Sequence, residues 1–380
     1  MGTKTNDSRM KLILIVCAAV ILLFSSGCRH NRREELITPV VTKDEKFTGF
    51  FSRDSGGVTG ADGTISVPMP DGSSVFMMGD SFLGQVVDGK RDSSVRMINN
   101  TFVVVNPKQT GTVSLFGGTY DNPSALVVPE KNPGHFYWPG HGFVRDSIFH
   151  FFMSRFRFNG TGMWAFEFVN TDYFRYSWPD FKMLSVSSFD YSVQNHVHWG
   201  HAVLDEGDFI YVYGAKTDTS NRSNAHVCRM IMGSDGMPGK VDFFDGVGWS
   251  PDPLASRPML GITSQISEQF SVFRYGEYYI LLSQEKGIGT GEIYTYTSSA
   301  PSGPWNNKQM IYKTTETEKD RDIITYNAMA HPQYIENDEL LICYNVNSLQ
   351  IRKVFENAGN YRPVFLRVPL ALILPVKNNK

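Results

Sequence analysis

Three carboxylates carry most of the chemical interest of this chain. Asp62 lies in TGADG, Asp80 in FMMGDS and Glu268 in ISEQFSV. Each stands at the head or the tail of a short apolar segment, where a charged side chain has little structural purpose. Glycines flanking Asp62 let backbone approach closely, and an ordinary Asp-Gly turn is the competing reading. Asp80 ends the run VFMM and reads equally as a strand-end cap or a site residue, whereas Asp54 in RDSGG reads as a loop residue. A glutamate opening an apolar strand is partly buried, which raises its pKa and suits a general acid; an exposed glutamate ahead of the strand is the plainer alternative. Carboxyl groups from separate parts of a chain, meeting in one cleft, are the equipment of glycoside hydrolysis.

Histidines and indoles surround these positions. NHVHWGH carries His196, His198 and His201. Alternate residues of a strand share a face, but no third ligand follows by spacing, so no metal site is read; His198 and His201 are assigned to hydrogen bonding with a ligand or with neighbouring loops. His141 and His331 occupy comparable positions, His331 directly before a proline. Trp138 and Trp199 stand beside glycines that lead into strands. Sugar rings stack on such indoles, and core packing is an equally common use. With Asn327, in YNAMAHPQY, these residues form the expected substrate-binding set: Trp138, His141, His198, Trp199, His201, Asn327 and His331. Trp305, closing APSGPW, reads as architectural. No G-x-S-x-G elbow, phosphate loop, Rossmann glycine fingerprint or H-E-x-x-H is present, which removes the common nucleophile, nucleotide and zinc-protease readings.

The elements that must position these residues are strands. From Phe47 onward short aromatic and β-branched runs alternate with Gly, Asp, Asn and Pro. The one candidate helix lies within 350–360. Five times a small or Gly-rich segment leads into an apolar strand, a polar turn and a second, aromatic strand. These units begin at Thr59, Tyr137, Val197, Ser267 and Tyr326. Each interval holds about four strands, one blade of a propeller. The expected fold is therefore all-β, a five-bladed β-propeller over 47–375. A pair of β-sandwiches explains the strand density but not the fivefold recurrence. WD repeats and the S-x-D-x-G-x-T-W box are absent.

Composition agrees. Aromatics reach 13% and charged residues only 19%, which fits a β-rich domain with a wide core. Formal net charge is -2; residues 1–27 hold three basic residues against one acidic, so the remainder sits at -4. That excludes a nucleic-acid partner, which needs a basic face. Cys228 and Cys343 read as two buried thiols, with pairing in an oxidising compartment as the alternative.

The amino-terminus gives a location. Arg9 and Lys11 precede an apolar run from Leu12 to Phe24, followed by Ser25, Ser26, Gly27 and Cys28. This is a short export signal ending in the small-residue-then-cysteine pattern of bacterial lipoproteins, with Ser25 where such signals usually carry Leu. Residues 1–28 are expected to be the signal with Cys28 lipidated, and 29–46 a flexible tether. The protein is then held at the cell envelope, outside the cytoplasm, touching membrane only through its lipid.

TGADGTISVPMPDGSSVFMMGDSFLG, with YNAMAHPQY and LLICYNVNS further on, resembles a family of bacterial five-bladed propeller domains of formerly unknown function that includes endo-D-arabinofuranases, enzymes that cut D-arabinan. The resemblance covers about 47–370. The chain is also similar in plan to five-bladed arabinanases and xylosidases. That plan implies Asp62 or Asp80 as base and Glu268 as acid, and it implies that calcium can be held in the channel through a histidine. The chain departs from it in the middle blades, where histidines replace an acid-tuning aspartate. The expected function is a lipid-anchored glycoside hydrolase acting on a furanose-containing, D-arabinan-like polysaccharide. A non-catalytic glycan-binding lipoprotein is the alternative, and a propeller for protein contacts a third.

Overall fold

The computed structural model describes residues 39–162, 164–233, 236–287 and 289–376. The signal, Cys28 and most of the expected tether lie outside the described residues. Pro39 onward forms one compact unit.

Five antiparallel sheets, four of four strands and one of five, follow one another. The first blade runs outward from Ile65–Pro68 through Ser74–Met78 and Thr101–Val105 to Thr112–Leu115. The second comprises His135–Arg145, Ile148–Phe158, Phe166–Ser177 and Met183–Phe189. The third comprises His198–Asp205, Ile210–Thr217, Ser223–Met232 and Pro238–Phe244, with a short fifth strand at Trp249–Ser250. The fourth comprises Ser271–Tyr275, Tyr278–Gln284, Glu292–Ser298 and Asn306–Lys313. The fifth takes Ile323–Glu336, Glu339–Ser348 and Val364–Pro369 from the end of the chain and Thr42–Lys43 from its beginning. This is the five-bladed propeller that the repeat implies.

The polar turns do what their residues favour. Asp146 and Ser147 (φ 53° and 58°) connect Arg145 to Ile148, and Asn337 and Asp338 (φ 51° and 58°) connect Glu336 to Glu339. Two left-handed residues in a two-residue loop make the type I′ hairpin, whose twist matches that of the strands. Ile351–Glu356 is a helix, within the segment expected to hold one.

Residues 42–46 differ from expectation. They belong to the propeller rather than to the tether. Thr42 and Lys43 pair with Arg367 and Leu366. Asp44 caps the helix Glu45–Phe51 and binds Arg367 Nε at 2.7 Å. Phe47 and Phe51 from that helix pack on Phe365 and Phe76. A polar stretch with no period hides this role, because a closing strand of two residues has no periodicity to show.

A small extra sheet matters most for the site. Val58–Ala61, Ser81–Leu83 and Met97–Ile98 form three antiparallel strands at the start of the first blade, with Ala61 opposite Ser81. Among the described residues Cys228 and Cys343 are buried, form no disulfide, and lie in different blades.

Candidate active site

The leading ends of the five inner strands surround a cavity of about 840 Å³. Asp62, Asp80 and Glu268 all line it, so acids from the first and fourth blades share one pocket. The other ends of the same strands open on a second, smaller cavity of about 270 Å³.

Asp62 and Asp80 are neighbours across the small sheet. The Asp62 N–H donates to the Asp80 carbonyl at 3.3 Å, and the Gly79 N–H donates to the Asp62 carbonyl at 2.8 Å. Gly79 is required by this approach, since a Cβ there would stand 2.4 Å from Asp62 Oδ1. Two phenols converge on Asp62 Oδ2: Tyr326 at 2.6 Å and Tyr361 at 3.1 Å. Asp80 Oδ1 accepts from Trp138 Nε1 at 2.8 Å and Asn99 Nδ2 at 3.1 Å.

Burial pushes the Asp80 carboxyl up, the charge of Asp62 pushes it further, and the Trp138 and Asn99 donors only partly oppose them, leaving it at about 7. Burial likewise raises Asp62 against its two phenols. Two like charges so placed resist ionising together, and the pair holds a proton near neutrality.

Glu268 behaves in the opposite way to the sequence expectation. Burial works to raise its pKa, but His198 and Lys286 outweigh it and hold the carboxyl well below the usual range. Lys286 donates to Glu268 Oε1, His198 Nδ1 lies 3.7 Å from Oε2, and the carboxylate remains 47% exposed. A carboxyl whose pKa is held down in this way is a poorer proton donor near neutrality, which argues against Glu268 as the general acid.

The expected substrate-binding set divides. Trp138, His198, His201 and Asn327 line the cavity. The His198 ring lies 3.8 Å from that of Phe168. Asn327 (φ 51°) is tied to Gln269, whose amide also reaches the Pro139 carbonyl and so joins three blades beneath the cavity. The other three are corrected. Trp199 is a core residue, 1% exposed, bonded to Asn195 and packed on Phe243. His331 is fully buried between Ser66 and Cys343. His141 bonds the backbone of Ser66 and Val203 and lines the smaller cavity. His141 and His331 lie deeper along their inner strands than the residues of those strands that reach the larger cavity, Trp138 and Asn327.

Sequence reasoning missed Tyr326, Tyr361, Asn99 and Lys286. Tyr326 opens the YNAMAHPQY segment and was within reach; Tyr361, in a 3-10 turn between strands, carries no sequence signal. An aromatic wall was also missed. The hairpin of Ile148–Phe158 and Phe166–Ser177 lines the pocket, bringing Phe156 and Phe166 against Trp138, Phe158 against Phe136 and Trp164 against Phe166. Phe158 and Trp164 remain 63% and 60% exposed.

His198, His201 and Glu268 are the group of potential metal ligands found among the described residues. Calcium, which the resemblance implies, takes six to eight oxygen ligands; two imidazoles and one carboxylate do not fit it.

The family described as "Domain of unknown function (DUF5005)" matches residues 44–371. No curated protein matches the sequence. Among solved structures, a putative hydrolase from Bacteroides ovatus ATCC 8483 is similar with a TM-score of 0.71 at 19% identity, over 86% of this chain and 90% of that one. A GH43_1 enzyme from Xanthomonas citri complexed with xylotriose gives 0.48 at 12% identity, over 87% and 89%. An exo-1,5-α-L-arabinanase from a bovine ruminal metagenomic library gives 0.41 at 12%, over 83% and 95%. The first likeness establishes a shared fold.

Proposed function

This chain belongs to the DUF5005 family, and we propose that it is a glycoside hydrolase whose reacting carboxyl groups are Asp62 and Asp80. One observation carries the reading: two acids side by side in a large pocket, one raised to about 7 by burial and by the charge of the other. A carboxyl that keeps its proton at neutral pH beside one that is ionised is the division of labour that glycoside cleavage needs.

Carboxyl groups roughly 5–5.5 Å apart are the arrangement of retaining enzymes, and that is the course assigned to the neighbouring Asp62 and Asp80. Asp80 gives its proton to the glycosidic oxygen, the bond to the anomeric carbon breaks, and the Asp62 carboxylate bonds that carbon. Asp80, now ionised, takes a proton from water; the resulting hydroxide attacks the same carbon and frees Asp62. The Tyr326 and Tyr361 donors hold Asp62 in place and favour its ionised form. The aromatic wall gives sugar rings a stacking face, and Glu268 with Lys286 offers a charged pair to hydroxyls.

The substrate that this reading favours is a furanose polysaccharide of the D-arabinan type, and the location a lipid anchor at Cys28 facing out of the cytoplasm. Support for both comes from the sequence motifs given above. Incubating the purified domain with D-arabinan and measuring new reducing ends tests the activity; Asp62→Asn and Asp80→Asn must each remove it while the protein stays folded. Binding without products from the unaltered protein would instead identify a glycan-binding lipoprotein. Cys28→Ser should move the protein from the membrane to the soluble fraction, and a variant that stays in the membrane would end the anchor proposal.

A further inference from the structure

We infer that His198, His201 and Glu268 form a binding site for a divalent transition-metal ion, with zinc as its natural probe. His201 carries the argument. It lines the cavity, is 5% exposed, and neither of its ring nitrogens has a hydrogen-bond partner among the described residues. A buried imidazole costs free energy unless its nitrogens are satisfied, so this ring is placed for something it does not find among its protein neighbours.

The neighbours supply the rest of a coordination sphere. One ligand atom from each of the three residues lies within 4.8 Å of the others. His198 Nδ1 and Glu268 Oε2 are 3.7 Å apart, too far for a good hydrogen bond. Bonds of about 2.0–2.1 Å in a tetrahedral sphere place ligand atoms roughly 3.4 Å apart, so a small inward movement closes the site. Lys286 holds the other oxygen of Glu268; a ligating carboxylate is normally fixed by such an outer partner. Two nitrogens and one carboxylate oxygen suit zinc and its neighbours rather than calcium. The ligands come from the third and fourth blades, so spacing within one strand does not reveal the third of them. Three protein ligands leave a fourth position open, the arrangement in which a water or a sugar hydroxyl completes the sphere.

This site stands apart from the roles given to Asp62 and Asp80, and its test does not use turnover. The purified protein is stripped with a chelator, dialysed, and titrated with zinc by calorimetry; cobalt(II) is then added and its visible spectrum recorded. One equivalent of zinc is expected to bind, cobalt should show intense bands of a tetrahedral site, and zinc should raise Tm. His198→Ala, His201→Gln and Glu268→Gln should each weaken zinc binding by at least about tenfold, while His196→Asn, on the same segment but outside the set, should leave it unchanged. Circular dichroism confirms that each variant is folded, and His198 and Glu268 are exposed enough to be replaced even if His201 is not. No zinc bound by the unaltered protein, or binding that survives all three replacements, overturns the inference. Loss with His196→Asn alone would place the metal elsewhere and overturn it equally.

Discussion

The indole of Trp138 donates to Asp80 Oδ1 across the seam between the second and first blades, at 2.8 Å. A residue expected to stack on sugar is therefore also a support for the proton donor. The donor favours the ionised form, so Trp138→Phe keeps the ring, loses the hydrogen bond and raises Asp80. The alkaline limb of kcat/KM should move up by about one pH unit, the equivalent of a hydrogen bond to a charged group. An unmoved limb would separate Trp138 from the acid.

Asp80 itself sets where that limb falls. Activity should drop about tenfold per unit above pH 7 as its proton leaves. The stability consequence has a definite sign. The folded pKa, about 7, exceeds the ordinary 3.8, so between those values the folded state binds more protons and stability falls as pH rises. Asp80→Asn should abolish turnover yet raise Tm at pH 7, with less gain at pH 4, as read by calorimetric scans.

Tyr361→Phe and Tyr326→Phe remove donors that hold the Asp62 pKa down. The acidic limb of the rate profile should shift to higher pH in both variants, more in Tyr326→Phe, whose bond is the shorter. Equal profiles for both variants and the unaltered enzyme would remove Asp62 from the reaction.

Glu268→Gln distinguishes an acid from a binding group. Because His198 and Lys286 keep Glu268 ionised, its loss should raise KM several-fold and leave the alkaline limb near pH 7. Should kcat collapse on arabinan but recover on a glycoside with an acidic aryl leaving group, Glu268 is the proton donor and Asp80 is not.

Gly79→Ala places a methyl 2.4 Å from Asp62 Oδ1. The carboxyl must swing away or the strand must move. Turnover should fall at least a hundredfold with folding retained, a loss read from reducing-end assays beside circular dichroism.

Much of this was legible in the chain because it is periodic. The five aromatic hairpins and their polar turns repeat, and repetition shows without an alignment. Asp62 and Asp80 showed because acids abut apolar runs in GADG and GDS. What stayed hidden depends on depth along a strand or on distant partners. His141 and His331 align with His201 by repeat, yet His201 faces the larger cavity while His331 meets Ser66 and His141 a backbone carbonyl. Glu268 reads as an acid until Lys286, eighteen positions on, is placed against it. Trp199 and Trp138 look alike in sequence, and only Asn195 and Phe243 mark the first as core.

The fifth blade joins the first strand of the domain to its last, and this has a bearing on timing. Asp62 is among the earliest residues of the propeller to be made, while its phenol partners arrive 264 and 299 positions later. A growing or clipped chain thus carries its acids without their supports. A cut anywhere between Asp62 and Tyr326 therefore divides the carboxyl from both of its phenol donors.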